Sequence, residues 1–174
     1  MANPTMTLIA SNTVGSGGVA SVTFSSIPNT YTDLVLQISA RTGGAGAVYD
    51  GLKITFNGNT SSYSERLLYG IGSAVASASQ SGDNSTHFQY GDTNDATTNT
   101  FGSATIYIPN YAGSNYKSTS ADSVAENNGT ANIAALNAGL WSNSAAISSI
   151  SIAINSGYNF LQYSTAYLYG ISNS

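Results

Sequence analysis

The sequence predicts an all-β protein built from short antiparallel strands. Apolar and polar residues alternate in segments such as "DLVLQISART" and "SATIYIP", and this period of two places every second side chain on one face of a strand. Turn-forming phrases separate the segments, among them "FNGN", "SGDN", "ENNGT" and "NSGYN". Because no helical pattern lies between them, we expect an antiparallel sandwich or barrel and not a parallel α/β sheet.

The composition agrees with this class. Ser, Thr, Asn and Gly together make up roughly half of the chain, and all four disfavour helices. The 174 residues are enough for one continuous core, so we expect a single domain spanning residues 1–174. Pro4 prevents an early helix, and residues 1–7 are a candidate N-terminal arm. The chain has no cysteine, which excludes disulfides and thiolate sites.

Charge is scarce, and this narrows the classes of partner. Only 7% of the residues are charged, and the net charge is -4. Four basic residues cannot supply the positive surface that binding to phosphates requires, so nucleic acid is not an expected partner. The sequence has no signal peptide pattern and no apolar run long enough to span a membrane. We therefore expect a soluble protein that is made in a cytoplasm and does not insert into membranes.

About ten or eleven strands can be assigned. The segments "MTLIASNTV" and "VASVTFSSI" flank "GSGG" and are predicted to pair as a hairpin. The polar region Ser73–Thr100 is predicted to be a long loop with at most one short strand. "NIAALNAGLW" is the one segment that could form a helical turn, although its glycine and asparagines weaken that interpretation. Little or no helix is expected elsewhere.

No catalytic or metal-binding set emerges from the motifs. His87 is the only histidine, so a histidine metal triad cannot form, and a solvent-facing strand residue is the simpler interpretation. The eight carboxylates show no pair that stands out as the two acids of a glycosidase. "DTNDATTN" carries oxygen ligands suited to calcium, but an Asx-turn loop without metal explains it as well. We predict no catalytic residues, no metal ligands and no cofactor.

The twelve tyrosines offer the best candidates for binding. Strand tyrosines serve a core or a subunit interface, whereas tyrosines beside Asn and Ser on a loop can also stack on sugars. Pro109 ends the strand in "YIPNYAGSNYKS", and Asn110 supports the turn that follows. We predict that Asn110, Tyr111 and Tyr116 lie on an exposed loop and contact a protein partner or a glycan.

The sequence also resembles a known family over most of its length. The runs "VTFSSIPNTYTDLVLQISART", "LKITFNGNTSSYSERLLYGIGS", "TFGSATIYIPNYAGSNYKSTSADSVAENN", "AGLWSNSAAISSISI" and "NFLQYSTAYLYGI" are similar to β-rich virion structural proteins of tailed bacteriophages. The similarity extends from about Val22 to Ile171. It implies a jelly-roll-like β-sandwich of about ten short strands on the outer surface of the virion, and it transfers no catalytic residue.

The function that the resemblance implies is decoration of the phage head. A decoration, or cement, protein stabilises the capsid through contacts with the major capsid protein, and proteins of this role typically form trimers. The alternative is a carbohydrate-binding or receptor-binding module at a tail fibre or tail tip, which would recognise a host-surface glycan. Both functions are non-enzymatic, and in both the site of action is the virion.

Overall fold

The computed structural model describes residues 5–129 and 131–172, with the side chains at positions 87–89 excepted. This part of the chain forms twelve strands and no helix. The strands are β1 Met6–Thr13, β2 Ser21–Phe24, β3 Asp33–Ala40, β4 Tyr49–Phe56, β5 Tyr63–Ile71, β6 Ala74–Asp83, β7 Thr86–Asp92, β8 Gly102–Ile108, β9 Lys117–Ala125, β10 Ile133–Trp141, β11 Ile150–Ile154 and β12 Thr165–Ile171.

The strands form two antiparallel sheets of unequal size that pack as a sandwich. The larger sheet has eight strands in the order β1-β12-β3-β8-β9-β10-β5-β6, and the smaller has four in the order β2-β11-β4-β7. Every strand pair within them is antiparallel. The predicted class, an all-β antiparallel sandwich, is therefore confirmed.

The apolar core lies between the two sheets and follows the alternation in the sequence. Leu34, Leu36 and Ile38 of β3 are buried on the inner face of the larger sheet, and they belong to one cluster with inward side chains of the smaller sheet such as Ile152 and Ile54. Full burial of one such side chain stabilises the fold by about 1.5–3 kcal/mol. The inward residues of β3, β8, β12, β11 and β4 thus hold the sheets together.

The larger sheet extends beyond this core through β9, β10, β5 and β6. Of the smaller sheet, β7 packs against β9, β10 and β5. The inner face here is more polar, since Lys117, Thr119, Ser123 and Asn137 are all buried on β9 and β10. At the far edge, every residue of β6 from Ala74 to Gly82 is exposed. The extension is thus covered on its inner side only as far as β5.

Several local predictions were wrong. β1 and β2 do not form a hairpin, because β1 pairs with β12 in the larger sheet and β2 pairs with β11 in the smaller one. Ser73–Thr100 contains two strands, β6 and β7. By contrast, the strand predicted over "NIAALNAGLW" is confirmed as β10, which pairs regularly on both sides and contains no helical turn. Met6 and Thr7 of the candidate arm pair with β12, and residues 1–4 lie outside the described part of the chain.

An aromatic cluster joins the core to the extension. The rings of Tyr63 and Trp141 stack with centroids 6.2 Å apart, and Phe56 lies 5.7 Å from Trp141. The buried Tyr63 hydroxyl accepts a hydrogen bond from the backbone N–H of Phe56 at 2.8 Å and donates one to the carbonyl of Asn59 at 3.3 Å. Burial raises the pKa of Tyr63 to about 12. Tyr63 therefore links β5 to β4 across the two sheets.

We predict that Tyr63→Phe lowers the free energy of unfolding by about 1–3 kcal/mol, because it leaves the buried N–H of Phe56 without a partner. Denaturant unfolding followed by tryptophan fluorescence measures the change. Tyr107→Phe is the matched control, since its hydroxyl donates to Asp33 at 2.7 Å on the exposed surface. Equal losses in the two variants would contradict the role assigned to Tyr63.

Candidate interaction surface

The loop between β8 and β9 carries the three residues that were predicted to contact a partner. Asn110 is exposed and has a positive φ of 54°, and its backbone N–H donates to Asp33 at 2.8 Å. Tyr116 is 63% exposed. Tyr111 is instead completely buried, with its hydroxyl donating to the carbonyl of Pro28. The expectation that Tyr111 lies on the surface was wrong, because its ring completes the core beneath the loop.

Lys117 holds this loop in place from below. Its side chain is buried at the start of β9, and Nζ donates to the carbonyls of Gly113, at 2.7 Å, and Asn115. Burial lowers the pKa of Lys117. The negative ends of these carbonyl dipoles stabilise the Lys117 ammonium group, as a carboxylate would in an ion pair. The loop that presents Tyr116 is therefore anchored by a buried cation.

Arg41 organises the loop that sequence analysis singled out as calcium-like. Its guanidinium donates to the carbonyls of Thr97 and Thr100, each at 2.9 Å, and to that of Ala96 at 3.2 Å. These carbonyls are the kind of oxygen ligand that a calcium ion would use. Within the described residues, no group of three or more His, Asp or Glu side chains is placed to hold a metal. The Arg41 guanidinium therefore binds the loop carbonyls that a calcium ion would otherwise bind.

Asp92 is fully buried behind this loop. Neither carboxylate oxygen has a hydrogen bond, and the buried amide Nδ2 of Asn127 also lacks a partner. Burial raises the pKa of the Asp92 carboxyl, and the nearby side chains of Thr100, Asn127 and Arg41 offset this only in part. The carboxylate is enclosed by protein and has no exposed surface. Its geometry is that of a buried structural group and not of an acid that meets a substrate.

Other carboxylates fix loops. Asp33 accepts hydrogen bonds from Tyr107 and from the backbone of Asn110, and Asp50 accepts one from Ser156. Glu126 binds the side-chain amide of Asn132 at 2.7 and 2.8 Å. The side chain of His87 lies outside the described part of the structure. These contacts give the carboxylates a structural use and bring no two of them together around a cleft.

The most exposed apolar surface lies on the outer face of β9, β10, β5 and β6, called the extension face below. Two rows of side chains cross it. In the first, Asp122, Leu136, Leu68 and Ser77 lie side by side, and in the second, Val124, Ala134, Gly70 and Val75 do so. Leu68 is 51% exposed, Leu136 59%, Val124 41% and Val75 77%. Large apolar side chains are thus grouped on one open face.

The extension face carries two shallow grooves. An open groove of about 680 Å³ is lined by Arg66, Leu68, Ser77, Ser120, Leu136 and Ala138, and an adjoining groove of about 390 Å³ continues toward Val75 and Val124. Two charged side chains lie among these residues, with Asp122 beside Leu136 and Arg66 beside Ala138. Large apolar side chains exposed together on one face are typical of protein–protein interaction sites. This face is the candidate interaction surface.

Sequence analysis did not find this surface. Leu68 directly follows Leu67, and Leu136 directly follows Ala135. The local pattern therefore does not show which residue of each pair is exposed. The signal was available only in β10, where Ala134, Leu136 and Ala138 alternate with Ile133, Ala135 and Asn137. Both sets contain apolar residues, which is expected of a strand whose two faces both meet protein.

We predict that calcium does not stabilise this protein, because the carbonyls of the 93–100 loop already bind Arg41. Adding calcium or a chelator should leave the melting temperature unchanged in thermal unfolding. Arg41→Gln should lower it by several degrees, since the loss of charged hydrogen bonds to three carbonyls amounts to about 1–3 kcal/mol. A calcium-dependent rise in the wild-type melting temperature would contradict this assignment.

We also predict that Lys117 makes the free energy of unfolding depend on pH. Its folded-state pKa is lowered from 10.5, so between the lowered value and 10.5 the unfolded chain binds more protons than the folded one. The Lys117 contribution to the free energy of unfolding therefore increases as the pH rises through this window. Urea unfolding at pH 7 and near pH 10 should show that Lys117→Met loses this increase, whereas Lys53→Met keeps it. Parallel pH profiles for the wild type and Lys117→Met would contradict the prediction.

No family model matches the chain, and a search of curated proteins finds no match either. Within the described residues, there is no helix of the length and hydrophobicity needed to cross a membrane. The surfaces and contacts described above are therefore the observations from which a function has to be inferred.

Proposed function

We propose that this protein is a non-enzymatic structural protein of a tailed-phage virion that decorates and stabilises the outer surface of the capsid. The extension face carries the proposal, because four strands present Leu68, Leu136, Val124 and Val75 to solvent together on one open face with shallow grooves. Exposed apolar groups clustered in this way are typical of protein–protein interaction sites. The resemblance of the sequence to phage virion proteins supports the capsid as the partner.

The low charge of the chain supports a role in assembly. A surface of neutral hydrogen-bonding groups can be buried against a partner without the large desolvation penalty of charged groups. On a capsid, one partner surface repeats many times, so a contact of modest affinity for each copy suffices to cover the particle. We infer that the partner is the major capsid protein, with Arg66, Asp122 and Glu126 at the margin of the contact.

We further infer that the sandwich is a jelly roll. When β5, β6, β9 and β10 are set aside, the remaining strands have the orders β1-β12-β3-β8 and β2-β11-β4-β7. Neighbours in each sheet then come from opposite ends of the chain, which is the strand order of two interlocked Greek keys. On this interpretation, the extension face consists of two strand pairs inserted into a jelly roll.

The alternative function, glycan recognition at a tail fibre or tail tip, has one observation in its favour. Tyr116 is 63% exposed on a loop that also exposes Asn110, and an open aromatic ring beside an amide can stack on a sugar. Because Tyr111 is buried in the core, the candidate glycan site has only one aromatic ring, that of Tyr116. The extension face is the larger apolar surface, and we therefore favour the decorating role.

We predict that Leu68→Asp combined with Leu136→Asp reduces binding to capsids at least about tenfold, because charges would be buried at the centre of the contact. Cosedimentation of the purified protein with phage capsids that lack it measures the binding. Tyr116→Ala is the control and should bind like the wild type. Circular dichroism checks that each variant keeps its strands.

Location in the virion separates the two functions. Many copies over the head, seen by cryo-electron microscopy, are expected for decoration. A few copies at the tail, together with glycan-array binding that Tyr116→Ala abolishes, would overturn the decorating role in favour of receptor binding. Undiminished capsid binding by the double Leu→Asp variant would exclude the extension face as the contact.

A further inference from the structure

The two sheets end in four edge strands, and three of these are poorly suited to pair with another chain. β2 has only four residues. β1 has a bulge at Ile9, and β7 has a break in its pairing register opposite Leu52 and Lys53 and also packs beneath the larger sheet. Short length, bulges and cover are the devices by which proteins protect open sheet edges. The edge strand β6 differs in each respect.

β6 is long, regular and neutral. Its residues from Ala74 to Ser81 pair with β5 in unbroken register, and the bulge in this pairing comes only at Gly82. The stretch Ala74–Gly82 contains no charge and no proline. All of these residues are exposed, so neither face of β6 packs against the rest of the described chain. A strand held by hydrogen bonds on one side alone is only marginally stable.

The turn before β6 determines which of its backbone groups are open. β5 and β6 are joined by the two residues Gly72 and Ser73, and Ile71 lies opposite Ala74. In such a hairpin the residues that flank the turn are hydrogen-bonded to each other, and this alternates along the strand. The N–H and C=O groups of Val75, Ser77, Ser79 and Ser81 therefore point toward the open edge.

We propose that β6 pairs antiparallel with β6 of a second copy of this chain, across a two-fold axis at Ala78. In this register Ser77 lies opposite Ser79 of the second copy, and Val75 lies opposite its Ser81. All four residues with outward backbone groups are used, which gives about eight hydrogen bonds between the copies. A register centred on Ser77 would use fewer of them.

The side chains of β6 suit this pairing. On its outer face are Val75, Ser77, Ser79 and Ser81, and on its inner face are Ala74, Ala76, Ala78 and Gln80. These small and neutral groups meet without steric conflict, and no like charges oppose each other across the axis. Asp83 would lie opposite Ser73 of the second copy. The other open edges are blunted, so a second β6 is the best partner for this one.

This inference does not rest on the proposed function, since it concerns only contacts between copies of the chain. It leads to a two-fold dimer, which differs from the trimer that the family resemblance implies. Pairing would also join the extension faces of two copies into one continuous surface. It would place Leu68 of one copy and Arg66 of the other on either side of the Ser77 and Ser79 pair.

Sedimentation equilibrium of the full chain tests the pairing. The average mass of the wild type should rise with protein concentration from 17.8 kDa, the mass of one chain, toward twice that value. Ala78→Asp should weaken the dimer at least about fivefold, because two carboxylates would meet at the axis. Ala76→Asp is the matched control, since it places the same charge on the same face opposite Gln80 and should weaken the dimer less. All three chains should keep the same circular dichroism spectrum.

A mixing experiment fixes the position of the axis. Ala78→Asp and Ala78→Lys chains should each dimerise more weakly than the wild type when alone and should form a heterodimer preferentially when combined. A wild-type chain that remains monomeric over a hundredfold range of concentration would overturn the proposal. A trimer, or a dimer that Ala78→Asp leaves unchanged and mixing does not affect, would overturn it as well.

Discussion

The structure depends on the packing of two sheets of different width. Ile and Leu side chains of β3, β8 and β12 meet those of β11 and β4, and this contact buries the apolar core. Eight strands cannot all be covered by four. The smaller sheet therefore covers the inner face of the larger one only as far as β5, and the last strand, β6, is open on both faces. The open edge strand of the larger sheet follows from this mismatch.

A second constraint is the scarcity of charge. With four basic and eight acidic residues, the chain has few ion pairs to draw on, and backbone carbonyls stabilise the partly buried Arg41 and the buried Lys117. Arg41 gathers three carbonyls of the 93–100 loop, and Lys117 binds two in the 109–116 loop. A carbonyl anchor fixes the path of the backbone directly. Each of these two long loops thus has several of its carbonyls bound by one cationic side chain.

Much of the fold could be predicted because alternation survives in most strands. In β9 the buried and exposed residues alternate without exception, and positive φ angles occur at Asn57, Gly58 and Asn128, where the turn sequences favour them. The "GSGG" turn was misassigned because turn chemistry does not show whether the flanking strands pair or cross to the other sheet. β6 was missed because Ala and Gly are depleted in strands, and because the alternation of Ala with Ser in this segment contrasts only small side chains.

The candidate site was harder to predict because it depends on tertiary packing. Tyr111 and Tyr116 occur in the same loop and in similar company, yet one ring is buried and the other is open. Their difference comes from the carbonyl of Pro28, which is distant in sequence and gives the Tyr111 hydroxyl a buried partner. Exposure of Leu68 and Leu136 likewise follows from their position on the outer face of the larger sheet, which points away from the smaller sheet. Neither fact is encoded in local sequence.

The position of Trp141 gives this protein an internal optical reporter. It is the only tryptophan in the chain, it is buried, and its indole nitrogen has no hydrogen-bond partner. Its stacking on Tyr63 places it where β10 and β5 leave the core and begin the extension. Its emission therefore senses the root of the extension, and any loosening there is visible without an added label.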